Sequence, residues 1–318
     1  MPKIKIFTYL AMWYKNIYRI LREFFNLKTL SFHYKNIIEI SRLRNPWPIF
    51  LLFLPCAWGL LLGYAPYISK FAMAKGLLIF FIGSVAGRSF GCIVNDIVDK
   101  DIDIKVERTK SRAIASGAVS VKYAISIAAI WLFVGLCCLL MLNYMAYLFV
   151  IAGVCISVIY PFTKRFFKTP QLVLGIAFNI GVLVGYSAIY KTISNSAFAF
   201  YIAGIYWTMF YDTIYATADL EDDKRLGINS TAVQHADNTS FFLLKCIIMM
   251  TGLLVTAGIL DRMPWQYYTC FPIIFLELWH IVLIFYRKTK SPQYCLNRNV
   301  VIGFMIAAQI LIGRCFHG

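Results

Sequence analysis

The stretch GCIVNDIVDKDIDIKVERTKSRAIASG, residues 91–117, determines how the rest of the chain is interpreted. Its acidic cluster follows a mostly apolar run and comprises Asn95, Asp96, Asp99, Asp101 and Asp103. Asp96, Asp99 and Asp103 are spaced i, i+3, i+7, and Asn95, Asp99 and Asp103 are spaced i, i+4, i+8, so each row is expected on one helix face. Like charges this close repel each other, so the cluster also predicts nearby cations.

A second acidic cluster, YDTIYATADLEDDK at 211–224, also stands at the end of an apolar run, with Asp219 and Asp223 four residues apart. Two such clusters predict a site for Mg²⁺, a hard cation that takes oxygen ligands and often shares them with substrate phosphate. Basic residues lie beside both clusters and between them: Lys105, Arg108, Lys110, Arg112, Lys164, Arg165, Lys168, Lys224 and Arg225. Metal and cations together offset the charge of a diphosphate, so the expected substrate has a diphosphate head and a lipid tail.

Composition places the chain in a membrane. Hydrophobic residues make up 60% of it, charged residues only 14%, and the mean hydropathy is +0.68. These values are far from those of an average soluble domain. The net charge of +16 is not carried by a polar, basic domain of the kind that binds nucleic acid. We therefore expect an all-α integral membrane protein in contact with the lipid bilayer and with no nucleic-acid partner.

Nine apolar segments are each near the ~20 residues that span a hydrocarbon core. They predict nine transmembrane helices at roughly 48–68, 77–95, 121–142, 144–161, 171–190, 198–216, 241–260, 265–286 and 300–316. The third and fourth segments adjoin at Asn143, so they either form a tight hairpin or count as one broken run. Arg88, inside the second segment, is costly in lipid and is expected to face a cavity or a partner.

Two regions are predicted. Residues 1–47 carry nine Lys/Arg against two Glu, interleaved with aromatic residues, and are expected to form a basic amphipathic segment on the cytoplasmic membrane surface. Residues 48–318 form the membrane domain. With a cytoplasmic N-terminus and nine spans, the cytoplasmic segments hold 23 Lys/Arg and the opposite loops hold 4. This asymmetry favours that orientation and places both acidic clusters on the cytoplasmic side.

These residues carry a family resemblance. The chain resembles the UbiA superfamily of intramembrane prenyltransferases, and most closely its 4-hydroxybenzoate polyprenyltransferases of ubiquinone synthesis. The NDxxDxxxD signature is matched by Asn95, Asp96, Asp99 and Asp103, and the YDTxYAxxDxxDD signature by Tyr211, Asp212, Thr213, Tyr215, Ala216, Asp219, Asp222 and Asp223. YPFTKR at 160–165, PQLVLGIAFNIGVLVGY at 170–186 and GINSTAV at 227–233 are also similar to the family, and the resemblance extends over about 42–240.

The resemblance implies a UbiA-type helical bundle that transfers a polyprenyl group from polyprenyl diphosphate to 4-hydroxybenzoate, with Mg²⁺ as cofactor. Asn95, Asp99, Asp219 and Asp223 would hold the metal, and Asp99, Asp219 and Asp223 would be catalytic, Asp219 by helping to remove the phenolic proton. The implied substrate-binding residues are Asn95, Asp96, Asp103, Arg108, Arg112, Lys164, Arg165, Tyr211, Asp212 and, for the benzoate carboxylate, Arg42. The membrane would be a bacterial inner membrane, with the active site facing the cytoplasm, or the mitochondrial inner membrane.

Some positions depart from the family pattern. The chain has Thr217-Ala218 before the second acid group where the family usually has His-Gln, and Asn229 stands where a Lys is usual. Other superfamily members prenylate a menaquinone precursor, haem or a chlorophyll precursor at the same kind of site. A cation-coupled transporter also carries intramembrane acids, but it holds them near the bilayer midplane at broken helices, whereas these clusters lie at segment ends.

Overall fold

A computed structural model of the chain describes residues 27–107, 109–163 and 165–316, with side chains for all of these except 27–32, 161 and 226. This part of the chain consists of helices and connecting turns and contains no β-strand. The predicted all-helical fold is confirmed. Most of the predicted basic N-terminal segment, residues 1–26, lies outside the described residues, and so do Arg108 and Lys164.

The described α-helices are α1 (Leu27–Ile40), α2 (Trp47–Leu62), α3 (Lys70–Val98), α4 (Lys100–Asp103), α5 (Val121–Leu139), α6 (Tyr144–Thr163), α7 (Pro170–Tyr190), α8 (Asn195–Ala216), α9 (Leu220–Leu226), α10 (Thr231–Gln234), α11 (Thr239–Leu260), α12 (Phe271–Tyr286) and α13 (Pro292–Cys315). Short 3-10 helices, Thr217–Asp219 and Trp265–Cys270, precede α9 and α12.

A long helix occupies each of the nine predicted apolar segments. By length and composition, six helical segments of the described chain can cross a membrane: Lys70–Val98, Val121–Leu139, Pro170–Tyr190, Thr239–Leu260, Trp265–Tyr286 and Pro292–Cys315. Trp47–Leu62 and Tyr144–Tyr160 are apolar but shorter, and α8 is not among the six. The finding therefore supports an integral membrane protein with six candidate spans.

The last helix begins earlier than the predicted boundary near residue 300. The Ser291 side chain accepts a hydrogen bond from the Tyr294 backbone N–H at 3.2 Å, and Pro292 occupies the first turn, where its missing N–H costs nothing. Arg298, which the sequence places in a loop, lies inside α13 and forms an ion pair with Glu277 of α12. Arg298 lowers the hydropathy of this part of the sequence, which is why the predicted helix began after it. In the structure, the ion pair with Glu277 offsets the charge of Arg298.

The predicted hairpin between α5 and α6 is confirmed. Asn143 caps α6, because its side-chain oxygen accepts a hydrogen bond from the Ala146 backbone N–H at 3.1 Å. Its amide nitrogen also donates to the backbone oxygens of Ser187 and Ala188 at 2.7 and 2.9 Å. One polar side chain thus ends the turn and ties it to α7.

The chain divides into two compact units. The first unit consists of Met1–Arg44 and Cys92–Ala128, and the second consists of Asn45–Gly91 and Ala129–Gly318. The first unit carries the first acidic cluster, together with α1 and α4. The second unit carries the second acidic cluster and most of the long helices.

In the second unit, α2 and α7 pack with their backbones in close contact. A Cβ atom added to Gly59 would lie 2.0 Å from the Val182 backbone oxygen, and one added to Gly185 would lie 2.1 Å from the Cys56 backbone oxygen. Small residues permit this approach, which is a common device where helices associate in lipid. Beside it, the Trp58 and Trp207 rings pack 4.8 Å apart and are buried. This packing is part of the buried core of the second unit.

Candidate active site

The first acidic cluster lies where α3 ends. The helix ends at Val98, and Asp99 has φ −89° and ψ 5° before the short helix α4. The Asp99 N–H still donates to the Asn95 backbone oxygen, and the Asp103 N–H to the Asp99 backbone oxygen, both at 2.8 Å. The chain therefore keeps a helical rise through the acids although the regular helix is interrupted.

Two arginines bind the buried acids of this cluster. Arg42 donates from Nη2 to both carboxylate oxygens of Asp96, at 2.7 and 2.8 Å. Arg112 donates from Nη1 to Asp96 at 3.2 Å and to Asp103 at 2.6 Å. Asp96 and Asp103 are only 5% and 6% exposed, and a buried carboxylate is costly unless it is paired. The cations that the acidic spacing requires are thus supplied by the protein itself.

Acids of the two predicted rows have different partners in the structure. Asp96 and Asp103 share Arg112, whereas Asp99 accepts a hydrogen bond from the Asn95 side-chain amide at 2.9 Å. Asn95 and Asp99 are half-buried. Arg112 thus pairs with the first and the last acid of the predicted i, i+3, i+7 row.

Arg42 itself occupies the turn that follows α1, with a left-handed φ of 57°. Burial lowers the pKa of Arg42, but attraction to Asp96 and the hydrogen bonds to it outweigh that effect, and the pKa lies above its ordinary value. The guanidinium therefore stays charged in the folded protein. Arg42 was predicted to bind the benzoate carboxylate, and its ion pair with Asp96 competes with that role.

The second acidic cluster begins in the last turn of α8 and continues through the 3-10 helix Thr217–Asp219 into α9. Gly227 ends α9 with a left-handed φ of 66°. Asp219, Asp222 and Asp223 are all half-buried. Asp222 also forms an ion pair with exposed Arg225 at 2.9 Å. The break in the helix therefore gives the acids of this cluster different surroundings.

Within the second unit, charged side chains from three other helices interact electrostatically with Tyr160. Asp212 of α8, Asp223 of α9 and Arg88 of α3 all interact electrostatically with Tyr160 of α6, as does Tyr211. The Arg88 Nε atom is buried and has no hydrogen-bond partner among the described residues. Arg88 was predicted to face a cavity or a partner, and its electrostatic interaction with Tyr160 is compatible with that prediction. Tyr160 is a candidate site residue that the sequence analysis did not single out. Its position at the head of YPFTKR was the available signal.

Buried hydrogen bonds hold this group in place. Asn179 donates to the Thr208 hydroxyl at 2.8 Å, and Thr208 donates to the Tyr211 hydroxyl at 3.2 Å. The GINSTAV segment is anchored in the same way: the Thr231 and Thr213 hydroxyls lie 2.6 Å apart, and the Thr231 N–H donates to Gln171 at 2.9 Å. Buried hydrogen-bond networks of this kind restrict side-chain positions.

The remaining predicted basic residues are less constrained. Lys110 pairs with exposed Glu107 at 2.7 Å, Lys224 pairs with exposed Glu221 at 3.8 Å, and Arg165 is exposed. Exposed pairs of this kind contribute little to stability. These side chains can exchange their partners for a charged ligand at low cost.

The donor chemistry suits a hard cation. Asn95 with Asp99 in the first unit and Asp219 with Asp223 in the second are oxygen donors, and no group of three or more His, Cys, Asp or Glu side chains in the described residues converges to hold a metal. Mg²⁺ is commonly bound by one or two carboxylates together with water and substrate phosphates. The available ligands therefore fit a metal that arrives with a diphosphate better than a permanently caged one.

The chain matches the UbiA prenyltransferase family over residues 52–306. It belongs to that family. Similar relatives include 4-hydroxybenzoate octaprenyltransferases from Francisella tularensis subsp. mediasiatica, 38% identical over 86% of this chain and 95% of the relative, and from Blochmanniella pennsylvanica, 33% identical over 89% and 96%. The mitochondrial 4-hydroxybenzoate polyprenyltransferase of Aedes aegypti is 36% identical over 90% of this chain and 64% of its own length.

Solved UbiA homologues share the fold. The apo homologue from Aeropyrum pernix has a TM-score of 0.70 at 23% identity and covers 83% of this chain and 97% of its own. The Archaeoglobus fulgidus homologue, solved with GPP and Mg²⁺, has a TM-score of 0.68 at 16% identity and covers 88% and 99%. The predicted resemblance to the UbiA family is confirmed, together with its helical fold.

Proposed function

We propose that this UbiA-family chain is a 4-hydroxybenzoate polyprenyltransferase of ubiquinone biosynthesis. The observation that carries the proposal is that relatives of that name align with most of this chain at 33–38% identity. The site chemistry agrees with it, because two oxygen-donor pairs accompanied by arginines suit a metal-bound diphosphate.

The proposed reaction breaks the bond between the first prenyl carbon and the diphosphate oxygen. A carbon–carbon bond then forms to the ring carbon ortho to the hydroxyl of 4-hydroxybenzoate, and that ring carbon loses its proton. Diphosphate is released. Mg²⁺, when bound, offsets the negative charge of the diphosphate. Removal of the phenolic proton strengthens the ring as a nucleophile, and we assign this step to Asp219.

The proposed residue roles follow the family resemblance. Asn95 and Asp99 from the first cluster, and Asp219 and Asp223 from the second, would hold Mg²⁺ and its diphosphate. Preorganised charges of this kind act on the charge that develops on the leaving group. Further contacts to the diphosphate are proposed for Arg108, Arg112, Lys164 and Arg165, and contacts to the substrates for Asp96, Asp103, Tyr211 and Asp212.

Two arginines are candidates for the benzoate carboxylate. Arg42 already binds both oxygens of Asp96. Arg88 carries a buried Nε without a hydrogen-bond partner among the described residues and shares the surroundings of Tyr160 with Asp212 and Asp223. An unsatisfied buried donor is costly, and a carboxylate would satisfy it. These contacts favour Arg88 for the carboxylate over Arg42.

We further propose nine spans with a cytoplasmic N-terminus, a basic membrane-surface segment at residues 1–47 and the catalytic domain at 48–318. The division of 23 against 4 Lys/Arg between the two sides supports this topology. Bacterial and mitochondrial relatives both exist, so the membrane is a bacterial inner membrane or the mitochondrial inner membrane.

The test is direct. Membranes containing the chain are incubated with 4-hydroxybenzoate, Mg²⁺ and prenyl diphosphates of several lengths, and the products are analysed by mass spectrometry. We expect a product whose mass equals acceptor plus prenyl group less one hydrogen, lost when excess EDTA is added and restored by Mg²⁺. Product formation in excess EDTA would contradict the metal role, and prenylation of another acceptor alone would contradict the assigned substrate.

A further inference from the structure

The buried acids and arginines of the first unit form a continuous chain of ion pairs. It runs from Arg42 to Asp96, from Asp96 to Arg112 and from Arg112 to Asp103, with contacts of 2.7, 3.2 and 2.6 Å. Arg112 is only 19% exposed, and both aspartates are buried. Two positive and two negative side chains alternate, so their formal charges cancel within the chain of pairs.

The Asn95–Asp99 pair has a separate hydrogen bond. The Asn95 amide donates to Asp99 Oδ2 at 2.9 Å. Asp96 lies next to Asn95 in the last turn of α3, and Asp103 lies at the end of α4. The two arginines are therefore bound to acids on both sides of Asp99 along the chain.

Backbone contacts fix the two arginines. Arg42 extends from a tight left-handed turn whose neighbours Ile40 and Ser41 are buried. On the other side, the Thr109 hydroxyl donates to the Asp103 backbone oxygen at 2.9 Å, and the Arg112 N–H donates to the Thr109 backbone oxygen at 2.9 Å. The end of α1 and the turn after α4 thus hold the acidic segment from two directions.

We propose that Arg42 and Arg112 are positioning residues, which hold Asp96 and Asp103 and so fix the segment that presents Asn95 and Asp99 to a divalent cation and its diphosphate. This inference rests on the proposed function and deepens it. It gives Arg42 an indirect role in metal and diphosphate binding in place of contact with the benzoate carboxylate. It also replaces the direct contacts proposed above for Arg112, Asp96 and Asp103 with an indirect role. Outer partners of this kind orient the groups that contact a metal.

The experiment compares Arg42→Gln with Arg42→Lys and with the matched control Arg44→Gln. Arg44 is two residues from Arg42, and its side chain is 65% exposed. Its ion pair with exposed Glu39 is long, at 3.9 Å. Purified variants are titrated with Mn²⁺ in the presence of a non-hydrolysable thiodiphosphate analogue, and free Mn²⁺ is measured by electron paramagnetic resonance. Prenyl transfer is measured in parallel at varied Mg²⁺ and varied 4-hydroxybenzoate.

For Arg42→Gln we expect Mn²⁺ affinity to fall by about 10–100-fold, the usual effect of removing an outer-shell partner. The Mg²⁺ concentration for half-maximal rate should rise similarly, while KM for 4-hydroxybenzoate stays unchanged. Arg42→Lys should recover part of the loss, and Arg44→Gln should match the parent protein. An increase in KM for 4-hydroxybenzoate with unchanged Mn²⁺ affinity would overturn the inference and assign Arg42 to the acceptor.

A double variant separates positioning from simple charge balance. Arg42→Gln alone leaves Asp96 less well paired, which can lower stability, whereas Arg42→Gln with Asp96→Asn removes both charges. We expect the double variant to regain thermal stability but not Mn²⁺ affinity. Recovery of Mn²⁺ affinity as well would overturn the inference. Because Mn²⁺ binding needs no turnover, it remains decisive if the parent protein fails to prenylate 4-hydroxybenzoate, a failure that would count against the proposed function alone.

Discussion

At the scale of single residues, neighbouring acids differ because their partners differ. Asp96 is buried between two arginines, Asp99 accepts a hydrogen bond from Asn95, and Asp101 is exposed to solvent. These side chains have the same chemistry and lie within six positions of one another. Which of them can serve a metal therefore depends on the arginines brought to the cluster from elsewhere in the chain.

The first prediction concerns the proposed metal-binding acids. Asp99→Asn and Asp219→Asn should each lower the rate of prenyl transfer at least ~10²-fold, the scale seen when one preorganised charge stabiliser is removed. Asp101→Asn is the control and should leave the rate unchanged, since Asp101 is exposed. Rates are measured on membranes matched for the amount of inserted protein. Near-parental rates for both Asp99→Asn and Asp219→Asn would show that these acids have a structural role only.

At the scale of helices, close packing and paired charges explain features that hydropathy does not. The α2–α7 contact needs glycine at Gly59 and Gly185, because an added Cβ atom would lie 2.0 and 2.1 Å from backbone oxygen, well inside van der Waals contact. The α12–α13 contact holds Glu277 and Arg298, 29% and 33% exposed, as an ion pair within an apolar surface. Both contacts lie in the second unit.

The packing prediction compares two glycines in long helices. Gly59→Ala should destabilise the protein by ~1–3 kcal/mol, the range for overpacking. Gly252→Ala, whose added Cβ would meet no atom within 4 Å, should be neutral or stabilising by up to ~1 kcal/mol. The measurement is the thermal unfolding midpoint of the detergent-solubilised protein. Equal midpoints for the two variants would contradict the close α2–α7 approach.

The ion-pair prediction concerns α12 and α13. Glu277→Gln should lower the unfolding midpoint, because it leaves the half-buried Arg298 without its charged partner, a loss of about 1.5–3 kcal/mol. Adding Arg298→Met should restore most of the midpoint, since removal of both charges leaves none uncompensated. If the double variant is instead as unstable as the sum of the two single variants, the side chains act independently and the pair has no role in stability.

At the scale of the whole molecule, the proposal requires the two acidic clusters to serve one diphosphate. Residues that act as a unit have strongly non-additive effects on rate. Asp99→Asn combined with Asp223→Asn should therefore be little slower than the slower of the two single variants, when kcat/KM for the prenyl diphosphate is compared. Multiplication of the two single effects would indicate separate sites.

Orientation in the membrane is tested by labelling. Single cysteines replacing exposed Asp101 and Glu221, in a background without the nine native cysteines, should react with a membrane-impermeant thiol reagent from the cytoplasmic side only. Thr192→Cys, in the exposed connection between α7 and α8, should react only from the opposite side. Labelling of Asp101→Cys and Glu221→Cys from opposite faces would rule out a shared site. Labelling that alternates between faces with substrate would favour a transporter.

Local properties of the sequence were sufficient for the membrane class, the helical fold and the family. Hydropathy summed over a segment reports burial in lipid, so a helix was found in each predicted apolar segment, and the signatures around Asp99 and Asp219 identified the UbiA resemblance. The start of α13 was misplaced because Arg298 was counted as a loop charge, whereas Glu277 of another helix neutralises it.

Only the tertiary structure decided which charges are partners. Arg42 and Asp96 are 54 positions apart, and no spacing rule joins them. The same holds for Arg88 of α3 and Tyr160 of α6, which interact electrostatically although they are distant in sequence. Helical periodicity fixes which residues of one helix share a face, but the choice of partner depends on how separate segments pack. The sequence alone therefore identified the acids, whereas the fold determined which partner each acid has.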